Sequence, residues 1–249
     1  FIAFGLAFEV PVVVVLLVDF LRAHQGWGWM RLVAGATPYK NVPGLTSVKV
    51  MGSGHGGGFS LRPSPSHQGL ICTFTHADLA LKFLDSSLVQ AYRDRAAEFW
   101  SGVLTVQSAR GYWDKQSWLA TAPDAVAVQP GFEGPLAVLT RASILPSKAM
   151  AFWRYAPAAQ AELSQSDGCL LSMGLGEAPL VRQCTFSLWR DTAAMSKFAH
   201  KGAHQVASSA AYKHEFFSES MFVRMRVLEM SGAWQGQNLH KQAMEFSHA

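Results

Sequence analysis

Cysteine is scarce: Cys72, Cys169 and Cys184 are the only three in 249 residues. The number is odd and no C-x-x-C pair occurs, which excludes a disulfide framework and a thiolate zinc cluster. Charge is scarce as well, with Asp, Glu, Lys and Arg at 15% of the chain. The formal charge of +4 comes from scattered side chains, so no basic tract marks a nucleic-acid partner. H-E-x-x-H, G-x-S-x-G and the P-loop lysine are absent, which leaves metallopeptidase, serine hydrolase and P-loop chemistry without support. What is abundant is apolar: hydrophobic residues reach 49%, enough for a large core and against disorder. The three cysteines read as small buried hydrophobes.

The longest apolar run, residues 1–21, could span a bilayer by length. Glu9, Pro11 and Asp19 interrupt it. Residues 10–20 read better as a valine-rich strand buried on both faces. Residues 1–9 are then an apolar extension: an added strand, a membrane-contacting tail or the stub of a processed leader.

An internal repeat organises the rest. Residues 180–234 read strand, helix, strand, and residues 70–113 repeat the design. Cys72-Thr73-Phe74 recurs as Cys184-Thr185-Phe186, a glycine-bearing strand precedes each, and Trp113 and Trp234 close them. In the first unit, strands are expected at 10–20, 45–52, 69–75 and 103–107, and helices at 26–36 and 77–100. In the second, strands are expected at 135–143, 169–174, 181–189 and 221–228, and helices at 147–163 and 191–217. Pro157 should kink or divide the former helix. Each unit is β-α-β-β-α-β, the ferredoxin-like pattern. The predicted fold is α+β: tandem ferredoxin-like repeats packed face to face as an α+β barrel within one chain. The repeats span 1–113 and 134–234, with a linker at 114–133 and a tail at 235–249. The space between the two sheets is either core or a ligand cavity.

Two features invite a functional reading. The loop Gly52-Ser53-Gly54-His55-Gly56-Gly57-Gly58 follows a strand, but no helix opens behind it, so phosphate binding is disfavoured. His200 and His204 stand one turn apart on the predicted 191–217 helix and share a face. A bare two-histidine metal site wants a further ligand, whereas one histidine suffices for a haem. Surface, core and ligand readings of the pair all remain open on spacing.

Several motifs, in order, carry a family resemblance. They include KVMGSGHGGGF at 49–59, SARGYW at 108–113, GPLAVLTRAS at 134–143, Phe152-Trp153, GLGEAP at 174–179, RQCTFSLW at 182–189, Phe198-Ala199, His204 and FVRMRVLEMSGAW at 222–234. The chain resembles the spheroidene monooxygenase family of carotenoid biosynthesis from about residue 12 to residue 234. The resemblance implies a haem-dependent, oxygen-using enzyme acting on an acyclic carotenoid, with haem b bound through the iron by His204. It implies an apolar substrate wall drawn from Phe152, Met173, Phe186, Leu188 and Phe222. Arg141 would be a polar exception, donating to bound oxygen or pairing with a propionate. Partners would be an apolar carotenoid-type substrate, an external electron donor and a membrane surface. Localisation would be peripheral at a membrane, in bacterial cytoplasm or an organelle such as a plastid. Small residues on the His204 segment suit packing against another protein or a lipid surface. The alternative is therefore a non-catalytic subunit of a membrane complex, such as a photosynthetic one, with the same fold.

Overall fold

The computed structural model describes residues 11–118, 134–178, 180–200 and 202–240. The extension 1–9, most of the linker and the end of the tail lie outside these residues. Strands β1 (Val12–Phe20), β2 (Leu45–Gly54), β3 (Pro63–Phe74) and β4 (Ala96–Gly111) form the first half-sheet. Strands β5 (Leu136–Ile144), β6 (Cys169–Ala178), β7 (Arg182–Trp189) and β8 (Phe217–Trp234) form the second. The order β4-β1-β3-β2-β6-β7-β5-β8, with β8 returning to β4, closes eight antiparallel strands into a barrel. A short β9 (Gln237–Asn238) extends β8. The two seams differ. β4 and β8 pair from Trp100–Gly232 to Gly111–Met221, whereas β2 and β6 pair only at Gly52 and Gly176. Ser53 Oγ reinforces the thin seam by donating to the Gly174 carbonyl at 2.5 Å.

Alternation decides what each strand residue faces. Val13, Val15 and Leu17 of β1 point into the barrel with Ala137, Leu139, Met173, Phe186, Val223 and Met225. The barrel interior is thus a packed core, which settles the choice between core and cavity. Val12, Val14, Leu16 and Val18 face outward, under the first-half helices. A strand covered on both sides needs no polar face, which is why β1 is nearly pure valine and leucine.

The helices are more divided than their sequence periodicity predicts. α1 spans Gln25–Ala34. The expected 77–100 helix is α2 (Ala77–Leu84) and α3 (Ser87–Arg93), and β4 already begins at Ala96. Ser86 makes the break: its Oγ accepts the Val89 N–H at 3.4 Å, a new N-cap. In the second half, α4 (Ala149–Phe152) and α5 (Ala156–Ser164) replace one helix, with Pro157 in the first turn of α5. The expected 191–217 helix is α6 (Thr192–Ala199) and α7 (Gly202–Lys213). Gly202 opens α7 at φ +63°, a backbone region that disfavours side chains, and a Cβ there would collide with the Glu162 carboxylate.

The cysteine repeat is offset by one residue in three dimensions. Cys72 and Phe74 face the helices of the first half, while Cys184 and Phe186 face the barrel interior. Both thiols are buried, and burial pushes both pKa values up. They are inert packing groups.

Candidate functional site

The outer face of the second half-sheet carries the site. Leu136 and Val138 of β5, Trp189 of β7 and Phe222 of β8 meet Met195, Phe198 and Ala199 of α6 there. Asp191 fixes the start of α6, its Oδ1 accepting the Ala194 N–H at 2.7 Å. This aims Phe198 at the sheet, where its ring lies 5.3 Å from Trp189 and 4.7 Å from the His204 imidazole. Trp189 donates its indole N–H to Ser187 Oγ at 3.0 Å, so its polar edge is satisfied within the layer.

His204 is half-buried on α7, and its Nδ1 lies 3.4 Å from the Ala199 carbonyl. A carbonyl can only accept, so the hydrogen sits on Nδ1 and Nε2 keeps its lone pair. Burial lowers the His204 pKa below the usual 6.5; His200 lowers it further, while the Ala199 carbonyl and Glu162 oppose. The imidazole is therefore neutral near pH 7, the form that ligates a metal. Its fixed tautomer is what a hydrogen-bonded ligand histidine has.

His200 does not share this arrangement. It caps the C-terminus of α6 and is exposed. The break before Gly202 takes it off the helix that bears His204, so the expected common face is not formed.

The proposed apolar wall is also divided. Phe222 joins the His204 layer. Met173, Phe186 and Leu188 lie inside the barrel, on the opposite side of the sheet from His204. Phe152 stands at the edge of the helix layer, 5.9 Å from Trp153 and 5.9 Å from Phe217. One wall of all five is excluded by strand alternation, which sends neighbouring side chains to opposite faces.

Arg141 is likewise redirected. It is 1% exposed and points into the barrel end rather than toward His204. There it pairs with Glu219, lies 3.6 Å from Glu177 and 3.7 Å from Asp114, and sits 5.7 Å from the centre of the Trp113 ring. Lys49 bridges Asp114 and Glu177. Backbone N–H groups of Asp114 and Lys115 donate to the two Glu219 oxygens at 3.0 and 2.8 Å. This cluster ties β2, β5, β6 and β8 to the turn after β4 and closes one end of the barrel.

Thr140 and Arg224 of the outer face were not anticipated, and Phe198 on α6, part of a family motif, was given no site role. The period-two pattern of MFVRMRVL carried the signal for Arg224, since it places Phe222 and Arg224 on the face opposite Met221, Val223 and Met225. Thr140 is exposed although β5 is flanked on both sides, by β7 and β8. The sheet is therefore uncovered beside Phe222, which pairs with Thr140. At the start of β8 a cleft of about 550 Å³ is lined by Gly111, Tyr112, Lys115 and residues 217–220.

Among the described residues, no group of three His, Cys, Asp or Glu side chains is placed to hold a bare metal ion. The donor set fits a porphyrin-held iron instead, which needs one neutral imidazole and an apolar surface. His204, Phe198 and Phe222 offer these. No helix among the described residues is long and apolar enough to cross a membrane.

No family model matches the chain. Curated relatives do. The spheroidene monooxygenase of Rubrivivax gelatinosus is 46% identical over 226 residues, covering 90% of this chain and 85% of that protein. The spheroidene monooxygenase of Rhodobacter capsulatus is 32% identical over 214 residues, covering 85% and 88%. Among solved structures, an aldoxime dehydratase superposes with a TM-score of 0.57 at 9% identity, over 88% of this chain and 82% of that one. A second, bound to butyraldoxime, gives a TM-score of 0.55 at 9% identity, over 89% and 80%. At such identities the structural likeness concerns the fold alone.

Proposed function

This chain belongs to the spheroidene monooxygenase family, and we propose that it inserts an oxygen atom into an acyclic carotenoid with haem b held by His204. The observation that carries the oxygenation reading is the 46% identity to the Rubrivivax gelatinosus enzyme across 90% of the chain. One oxygen atom of dioxygen enters the substrate and the other leaves as water, with two electrons from an external donor and two protons from solvent. Haem, when bound, supplies the iron at which dioxygen is activated.

The chain's own residues do the rest. His204 would hold the iron through Nε2, and the Ala199 carbonyl holds its tautomer. Phe198, Trp189 and Phe222 exclude water from that side. A polyene is apolar along its length, so an apolar approach suits it.

A surface next to this layer supports peripheral attachment to a membrane. Phe59 of the glycine loop and Trp153 lie 6.1 Å apart, and Trp153 Nε1 donates to the Leu180 carbonyl at 3.0 Å. Leu61, Met150 and Leu180 nearby are exposed. Arg62, Lys148, Arg154 and Arg182 are the neighbouring cations, and residues 20–77 and 134–161 contain no Asp or Glu. Exposed apolar and aromatic groups among cations suit an anionic bilayer surface, from which a carotenoid would arrive.

The test is the absorption spectrum of haem-loaded protein beside His204→Ala and His200→Ala. A Soret band lost only in His204→Ala, with carotenoid oxygenation in the wild type, is the expected result. A folded wild type with neither band nor turnover overturns it in favour of a non-catalytic subunit.

A further inference from the structure

We propose that Arg224, with Arg110 beside it, anchors a carboxylate of the ligand on the outer face of the second half-sheet. On the haem reading above, on which this rests, that carboxylate is a propionate.

Arg224 lies within β8, between Val138 of β5 and Ser108 of β4. Its neighbours Val223 and Met225 point into the barrel, so Arg224 points outward, on the His204 side. Its Nε is shielded from solvent and has no hydrogen-bond partner. The guanidinium lies over the Phe222 ring, 5.6 Å from its centre. Arg110 pairs directly with Phe222 across β4 and β8. The two cations are thus diagonal neighbours on one face, where like charges repel. Burial, and secondarily Arg110, push the Arg224 pKa down. Among the described residues no carboxylate forms an ion pair with either.

A shielded donor without an acceptor is unfavourable in the free chain. Arg224 and the exposed Arg110, beside an aromatic ring, are complementary to a ligand that carries both an anionic group and an apolar plane. Arginine meets a carboxylate with two parallel N–H···O bonds, the strongest neutralisation available to it. The uncovered sheet at Thr140, which pairs with Phe222, leaves room for that plane. Arg141, which is fully buried, is already neutralised by Glu219 at the barrel end. Arg224, half-buried with a shielded Nε, has no such carboxylate among the described residues.

The experiment compares haem with haem dimethyl ester, in which both propionates are capped. Each is titrated into wild type, Arg224→Met and Arg224→Lys, and followed by the Soret band and tryptophan quenching. The wild type should hold haem about tenfold more tightly than the ester, for about 1.4 kcal/mol. Arg224→Met should lose that preference by weakening haem alone, and Arg224→Lys should keep part of it. Without ligand, Arg224→Met should melt no lower than the wild type, because it removes an unpaired donor. Equal weakening of haem and ester in Arg224→Met would reduce Arg224 to a packing role, and no weakening of either would remove it from the site. If haem binds the wild type but shows no preference over its ester, the anchor alone is refuted. If neither compound binds the wild type, the haem reading and the anchor fall together.

Discussion

Replacing Glu219 with Ala should be among the most damaging single changes outside the apolar core. Arg141 is 1% exposed and Glu219 is its shortest ion pair. Removing one partner of a buried pair costs about 3–5 kcal/mol, because the surviving charge stays buried. Two features reduce that here. Glu177 and Asp114 remain 3.6 and 3.7 Å from the guanidinium, and the Glu219 side chain is 19% exposed. Loss of the acceptor for two backbone N–H groups adds to the cost, although water reaches that turn. The expected loss is about 3 kcal/mol, or about 6–12 °C in melting temperature for a chain of this size. Urea unfolding and a thermal melt read it directly. Arg141→Met should cost less in the Glu219→Ala background than in the wild type, since residues in one network couple. The pH profile gives an independent check. Burial would raise the Glu219 pKa, but the Lys115 and Asp114 N–H groups and Arg141 outweigh it and hold the carboxyl below its usual 4.5. Lys49, chiefly, holds Asp114 below its usual 3.8. Depressed carboxyls stabilise fully above their unfolded values, and that stability is lost as pH falls through the folded ones. The wild type should therefore lose stability as pH drops below about 4.5, and Glu219→Ala should lose less over the same range. A cost under about 1 kcal/mol, the level of a surface pair, or an unchanged acid profile would refute the lock at the barrel end.

Met173→Ala should cost about 2–5 kcal/mol by opening a cavity inside the barrel, yet leave any haem spectrum unchanged, because Met173 and His204 lie on opposite sides of the sheet; a shifted Soret band would contradict that placement. Gly174→Ala should destabilise by about 1–3 kcal/mol, since its Cβ would stand 3.0 Å from the Gly58 carbonyl carbon and 3.1 Å from the Phe59 ring; denaturant unfolding measures it, and a neutral result would mean that the glycine loop moves freely. The haem-free His204 imidazole should titrate below 6.5 by NMR. The protein should lose the His204 contribution to stability as pH falls below 6.5 toward the folded value, because the unfolded chain takes up the proton more readily. Ser86→Ala removes the cap that separates α2 from α3 and should cost about 1 kcal/mol by thermal melt.

The order of strands and the barrel architecture were legible because alternation and internal repetition are local patterns. The separation of α2 from α3 and of α6 from α7 was less so. Apolar spacing continues through both, and only a capping serine and a left-handed glycine interrupt the hydrogen bonding. The start of β4 was hidden for a related reason: Phe99 and Trp100 also fit a helical stripe, and their pairing with β1 and β8 overrides it. His204 was found through resemblance, while its fixed tautomer depends on Ala199, a contact created by the turn between α6 and α7.

By itself, the sequence determined which residues alternate together, that β1 must be covered on both sides, and to which family the chain belongs. Tertiary structure alone decided which alternating set looks into the barrel and which looks toward the helices. A period of two yields two equivalent faces, and closure of the sheet breaks the tie. That choice separates Met173, Phe186 and Arg141 from His204, and puts Phe222 and Arg224 on its side. It also gave Arg141 its partners, because Glu177, Glu219 and Asp114 come from elements far apart in the chain and meet only at the closed barrel end.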